Sequence, residues 1–354
     1  LQEAKRAGAT IVTVNPLDEA GLKRFKNPQE VSGLLGKGTK LSDLHMPVRV
    51  NGDVAFLKGL CKAMLEAELA VPGSALDTEF LNTYTEGFTE FAADIEQTPW
   101  ASIEKASGVS RGLIAEAAAI AISAENTICC WAMGLTQHKN AVANIQEVLN
   151  FLMLRGNLGK PGAGACPVRG HSNVQGDRTM GIWERPNAAL LDALQAEFAF
   201  DPPREHGLDA IDTINAMHDG RVKVFIALGG NFMAATPDWP YTTKALESCR
   251  LTVQISTKLN RSHTVTGAQA LIIPALGRTE IDEQHGQLQF VTVENSMGVV
   301  SRSEGKLKPI SDEMRSELSI IAGMAEATLG GASNIDWPGL GSRYDHVRDH
   351  ISRV

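Results

Sequence analysis

Positive charge is in short supply here. Lys and Arg number 33 against 41 Asp and Glu, a net charge of -8. Nucleic-acid proteins neutralise phosphates with clustered Lys and Arg, so this balance argues against a nucleic-acid partner. A small anionic ligand remains compatible, because backbone N–H groups can hold phosphate without net positive charge. No apolar run reaches the roughly 18 residues that span a bilayer, so no membrane segment is expected. The five cysteines, Cys61, Cys129, Cys130, Cys166 and Cys249, form no C-x-x-C pair. A zinc site or iron–sulfur cluster held by these cysteines is thereby disfavoured, and a reduced, cytoplasmic setting is expected. The nine histidines show i, i+4 spacing only at His346 and His350 in the tail, read as exposed, so no protein metal site is expected. No strand is followed by G-x-G-x-x-G, and there is no Walker A motif, so a standard NAD or P-loop site is not signalled.

What is present is an alternation of short apolar strands and amphipathic helices, which implies parallel sheets with helices on both faces. Leu1 to Gly8 reads as the last turns of a helix, and Ile11 to Val14 as the strand after it. Residues 21 to 50 read as irregular. Asp53 is placed as the cap of a helix that turns Phe56, Leu57, Leu60, Met64 and Leu65 to one side. Ser110 and Asn140 open two more helices. Strands are expected at Thr127 to Trp131, Val222 to Leu228, Leu251 to Ile255 and Ala270 to Ile273, with a shorter one at Gln289 to Val293. A helix is expected from about Asp312 to Leu329. Gly156 to Gly176 carries six glycines and reads as a long loop at a domain junction.

In open parallel sheets ligands bind beyond the C-terminal ends of the strands. Those ends carry Asn15-Pro16, Met133 to Gln137, Gly229-Gly230-Asn231 and Gln254 to Lys258. Glycine admits close approach of a backbone, and amides read base edges or ribose hydroxyls. The set suits a large ligand with phosphates and a purine. The run from Pro167 to Gly176 gathers Arg169, His171, Ser172, Asn173 and Gln175 between glycines, a mixture that core packing does not require. Arg169 there is a candidate anion clamp. These residues alone also admit a non-catalytic nucleotide-binding α/β module or an unrelated α/β dehydrogenase.

Three separated stretches carry a family resemblance, in order and spacing. They are Trp131 to His138, Leu154 to Gly164, and Pro167 to Gly176 with Asp177-Arg178-Thr179-Met180-Gly181-Ile182 after it. Together with Gln254 to His263 and Leu276 to Asp282, they resemble the molybdopterin oxidoreductases of the dimethyl-sulfoxide-reductase type, nearest the formate dehydrogenase alpha-subunit branch.

The resemblance implies an α/β fold of two doubly wound parallel-sheet domains, at least the first truncated at its N-terminus. Their expected extents are 1–168 and 169–330, the second also incomplete, with 331–354 a tail. It implies bis(molybdopterin guanine dinucleotide) molybdenum as cofactor and places an iron–sulfur cluster and the metal ligand in a missing N-terminal part. On this reading the chain is an internal fragment, inactive alone. Its substrate would be a small anion such as formate, and no electron acceptor is assigned. By position, Met133, Gly134, Thr136 and Gln137 border one guanine dinucleotide, and Asn15 touches a guanine or its ribose. Gly229, Gly230, Asn231, Gln254, Ser256, Thr257 and Lys258 line the other. Arg169 orients the substrate carboxylate, with Gly170, Ser172, Asn173 and Gln175 beside it at the cofactor. The family pattern has Gln where this chain has His171, which would bond a pterin or accept a proton. It has an acid at Asn15 and an Arg at Leu17. Glu280 is read as a structural carboxylate.

Overall fold

The computed structural model of the chain describes residues 1–171, 173–295 and 298–354. It resolves into two units, Leu1–Gly170 and His171–Val354. Both are α/β, with parallel sheets threaded by helices.

The first unit is built on helix Asp53–Ala70, which buries Phe56, Leu57, Leu60, Cys61 and Met64. Against this stripe pack helices Trp100–Ser107, Arg111–Ser123 and Ala141–Met153. Gly59 lets them close in, since a Cβ there would lie 2.9 Å from Ile103 Cγ2 and 3.0 Å from Ile114 Cδ1. The resulting core is one cluster that includes Met46, Ile95, Ile114, Val148 and Leu152. Asp53 differs from its expected role. Gly52 is the cap, and Asp53 is the first helical residue without a side-chain capping bond. The reason is the entry turn: Gly52 N–H donates to Arg49 O at 2.8 Å, and Gly52 O already accepts from Phe56 N at 3.0 Å. Ser110 does cap its helix, accepting from Leu113 N at 3.3 Å.

β1 (Val12–Val14) pairs in parallel with β2 (Leu44–Met46). β2 falls inside the stretch that reads as irregular, and it follows a run broken by Gly33, Gly36 and Gly38. β3 (Ile128–Trp131) pairs in parallel with β4 (Gly164–Pro167). β4 lies within the expected loop. Helix Ala141–Met153 is the crossover that brings it back beside β3. Pro167 is tolerated because the next residue, Val168, supplies the N–H that bonds Trp131 O, so no donor is required of the proline towards β3.

In the second unit β5 (Val224–Leu228), β6 (Leu251–Ser256) and β7 (Gln269–Pro274) form a parallel sheet in that order. One cluster holds Ile214, Met217, Ala245 and Leu246 from helices Ala210–His218 and Trp239–Glu247. Another joins Val253 and Ile255 of β6 to Ile320 of helix Glu317–Leu329. That helix starts later than expected, because Ser316 is its cap and Leu276 N–H holds Arg315 O at 2.9 Å, keeping the preceding residues extended. β8 (Glu283–Gln284) pairs with β9 (Gln287–Leu288), and β10 (Val291–Glu294) with β11 (Val300–Ser303), both antiparallel. Helix Ala188–Phe198, which the alternation did not suggest, is capped by Asn187, accepting from Leu190 N at 2.8 Å.

Residues 331–354 pack back on this unit. Buried Tyr344 shares hydroxyl hydrogen bonds with Ser316 and Asp282, and its backbone N–H donates to Gln289 Oε1 at 3.1 Å. Desolvation, then the neighbouring Asp282 carboxylate, pushes the Tyr344 phenol well above its ordinary pKa. His350 is not a free surface group: it contacts Glu197 at 2.5 Å, and its ring lies tilted against Phe198 with centroids 4.7 Å apart. Among the described residues no helix is long and apolar enough to cross a membrane.

Candidate functional site

In the first unit the parallel register sets Trp131 opposite Pro167, so β3 and β4 end side by side. Val168 N–H continues the pairing to Trp131 O at 2.6 Å. Beyond these ends lie the short helix Met133–Thr136 and the segment Val168 to Gly170. The two segments meet: a Cβ on Gly170 would lie 3.5 Å from Met133 Cε. Met133, Gly134, Thr136, Gln137, Arg169 and Gly170 are all exposed there. The Gln137 amide leans on Met133 Sδ at 3.8 Å. What fixes this tip is a residue the sequence reading did not single out. Fully buried Asn144 donates from Nδ2 to Leu135 O at 2.8 Å and accepts from Asn140 Nδ2 at 3.3 Å.

Asn15 directly follows β1, which belongs to a separate two-stranded sheet. Its side chain is engaged locally, accepting from Leu17 N at 2.9 Å and donating to Glu19 Oε1 at 3.0 Å. That is the usual Asx arrangement of a turn.

In the second unit a denser construction stands at the ends of β5 and β6. Gly229 and Gly230 take φ of 70° and 77°, a region that favours glycine. Gly229 N–H donates to Ile255 O at 2.8 Å, and Gly230 O accepts from Asn260 Nδ2 at 2.8 Å. Space beside Gly230 is open to 4 Å, and the nearest atom to a Cβ on Gly229 would be Glu317 Oε1 at 4.0 Å. Asn231 Oδ1 accepts from Ser262 Oγ at 2.6 Å. Buried Gln254 donates to Ser262 O and Val265 O, each at 3.3 Å. Ser256 and Lys258 close a turn on themselves, with Ser256 Oγ donating to Lys258 O at 2.9 Å. Thr257 and Lys258 are exposed.

His263 completes the construction. Its Nδ1 lies 3.0 Å from Asn260 N and 3.2 Å from Asn260 O, tied to the backbone of that residue. Its Nε2 is buried and has no hydrogen-bond partner among the described residues. His263 lines a small cavity of about 10 Å³ with Gly229, Gly230, Met233, Gln254 and Ser262. This is room for about one water. The Asn260-x-x-His263 spacing of a capping box was the signal that would have found this pair.

Asn173 and Gln175 belong to a different place in the second unit, around β10. Asn173 Oδ1 accepts from Glu294 N at 2.9 Å, and Gln175 Nε2 donates to Glu294 Oε1 at 2.7 Å. His171 is exposed, and Ser172 lies outside the described residues. Glu280 accepts from Gly277 N at 2.6 Å and so holds its turn.

The strand ends of the first unit carry amides, hydroxyls, a guanidinium and backbone N–H groups, and those of the second carry amides, hydroxyls, an ammonium and backbone N–H groups, with the His263 ring beneath. This is chemistry that suits a long ligand carrying phosphates, which accept hydrogen bonds and bear negative charge. Among the described residues no group of three or more His, Cys, Asp or Glu side chains is arranged to hold a metal ion.

Comparison with known proteins places the chain among relatives. The family model described as molybdopterin oxidoreductase matches residues 14–326. An uncharacterized oxidoreductase of Mycobacterium tuberculosis is 50% identical over 354 residues, covering 100% of this chain and 45% of that protein. The chain therefore spans about half the length of such relatives. Formate dehydrogenase H of Escherichia coli is 32% identical over 178 residues, covering 50% of this chain and 22% of that protein. Among solved structures, acetylene hydratase from Pelobacter acetylenicus shares the fold, with a TM-score of 0.54 at 17% identity over 92% of this chain and 44% of that one.

Proposed function

The chain belongs to the molybdopterin oxidoreductase family, and from that premise we propose that it is the cofactor-holding part of a formate dehydrogenase-like molybdenum enzyme acting on a small anion. The cofactor we propose is bis(molybdopterin guanine dinucleotide) molybdenum. Met133, Gly134, Thr136 and Gln137 would hold one dinucleotide. Gly229 to Asn231, Gln254 and Ser256 to Lys258 would hold the other. Asn15, Gly170, Asn173 and Gln175 are assigned secondary contacts. When bound, the group supplies the two-electron redox chemistry.

The residues of the chain bind and orient. Arg169 offers two parallel N–H donors to the two oxygens of a carboxylate, fixing the substrate by its anionic end. His171, two residues on, offers a ring nitrogen that bonds the pterin or receives a proton. Formate is the first anion to test because formate dehydrogenase H is a relative by sequence.

The observation that carries this reading is the meeting of Gly170, next in sequence to Arg169, with Met133 beyond the C-terminal ends of two parallel strands. The test uses the full-length protein. Molybdenum and guanine nucleotide should copurify with it, and formate should reduce a viologen dye. Arg169→Gln should lower kcat/KM for the anion on the order of a hundredfold, the loss of one charge-assisted bidentate contact, with molybdenum content unchanged. Wild-type protein with neither molybdenum nor guanine nucleotide would refute the cofactor assignment. Activity indifferent to Arg169→Gln would refute the anion clamp alone.

A further inference from the structure

β3 and β4 bring two thiols together that none of the above uses. Cys130 stands opposite Cys166 in the parallel register. Successive side chains on a strand alternate faces. Cys129 packs on the core, where burial pushes its thiol up to about 11. Cys130 therefore points the other way, onto the same face as Cys166, and both are exposed. Neighbouring strands lie about 4.7–4.9 Å apart, inside the roughly 4.4–6.8 Å Cα separation that a disulfide requires. Partial burial, and then a hydrogen bond that the Cys130 thiol makes to Cys166, hold Cys130 above the ordinary cysteine value.

We propose that Cys130 and Cys166 form a dithiol modification site that a hydroperoxide oxidises reversibly to an interstrand disulfide. One sulfur, as thiolate, attacks the peroxide oxygen. The O–O bond breaks, an alcohol or water leaves with one proton, and a sulfenic acid remains. The second sulfur then attacks the sulfenic sulfur. The S–O bond breaks, and hydroxide leaves as water with the proton of that second thiol. The two thiols lose two electrons and the peroxide gains them. A dithiol reductant reverses the bond by exchange. Cys130 lies three residues before Met133, and Cys166 three before Arg169. The cross-link would tie together the two strand ends from which the proposed site projects. That consequence rests on the proposed function, whereas the cross-link does not.

The full-length protein is treated with hydrogen peroxide, alkylated and mapped as peptides without reduction. The expected result is a peptide bearing Cys130 joined to one bearing Cys166, with loss of alkylation at both, restored by dithiothreitol. Cys130→Ser and Cys166→Ser should each abolish the link, and Cys129→Ala should keep it. A link that persists in Cys130→Ser through Cys129 would overturn the proposal. So would sulfinic acid on either residue without a link, or two thiols that stay unreactive towards peroxide. Molybdenum content of the same sample reports separately on the cofactor reading.

Discussion

The tip beyond β3 and the tips beyond β5 and β6 are held in opposite ways. At β3 the candidate ligand residues Met133, Thr136 and Gln137 are exposed, and one buried side chain, Asn144, fixes the turn from below. At β5 and β6 the residues with ligand-like chemistry are woven into each other: Asn231 to Ser262, Gln254 to Ser262 and Val265, Asn260 to Gly230 and His263. An amide there has less capacity left for a ligand, whereas His263 Nε2 has no hydrogen-bond partner among the described residues. Residue type alone therefore overstates what Asn231 and Gln254 have to offer, and understates His263.

The largest test of this contrast is Asn144→Ala. It leaves Leu135 O and Asn140 without their buried partner, a cost of about 1–3 kcal/mol. With Leu135 packing on the core as the remaining hold, the β3 tip should loosen, and cofactor retention in the full-length protein should fall along with the denaturation midpoint. If molybdenum content holds while the midpoint drops, the tip does not depend on Asn144. Ser262→Ala is the matching cut in the second unit. It removes the hydroxyl's bonds to Asn231 Oδ1 and Met233 N. Each bond contributes about 0.5–1.5 kcal/mol, but the remaining ties from Asn260 and Gln254 should keep the tip in place. Urea denaturation followed by hydrogen exchange at Gly229 and Gly230 reads both effects. Exchange at those glycines as fast as in an unfolded chain would show that the network is no more redundant than the Asn144 support.

The sequence disclosed most where periodicity acts over a long stretch. The apolar stripe from Phe56 to Met64, the cap at Ser110 and the strands at Val224, Leu251 and Gln269 are visible because burial imposes spacing on many residues at once. β2 and β4 were not, because β2 follows a run broken by Gly33, Gly36 and Gly38, and in β4 Gly164 and Pro167 mimic a loop. The positions of the strand-end residues follow from the alternation, but their hydrogen-bond partners do not. Gln254 is committed through residues as far as eleven positions away, and Asn173 through Glu294, separations over which no local pattern operates. Asn144 looked like an ordinary member of an amphipathic helix, since a buried amide differs from an exposed one only in what it meets.

The smallest effect concerns the joint between the β3 tip and the main helix of the first unit. His138, immediately after Gln137, has Nε2 at 3.9 Å from Asp53 Oδ2, too far for a hydrogen bond. Burial holds the Asp53 carboxyl above its ordinary range, outweighing its backbone hydrogen bond and the charge of His138. The ordinary value in an unfolded chain is about 3.9. A group whose folded-state pKa is raised favours folding most below its unfolded pKa, and that contribution is lost as pH rises through the folded pKa. At neutral pH ionised Asp53 therefore works against folding, while the partial positive charge of the helix N-terminus works for it. Asp53 remains partly screened by solvent, so Asp53→Asn should stabilise the protein by less than about 1 kcal/mol at pH 7. The gain should shrink to nothing towards pH 4, measured by urea midpoints across that range. A loss of stability at pH 7 would mean that the helix terminus outweighs desolvation at this joint. His138 would then be tethered to a favourable charge, giving the β3 tip a further support beside Asn144.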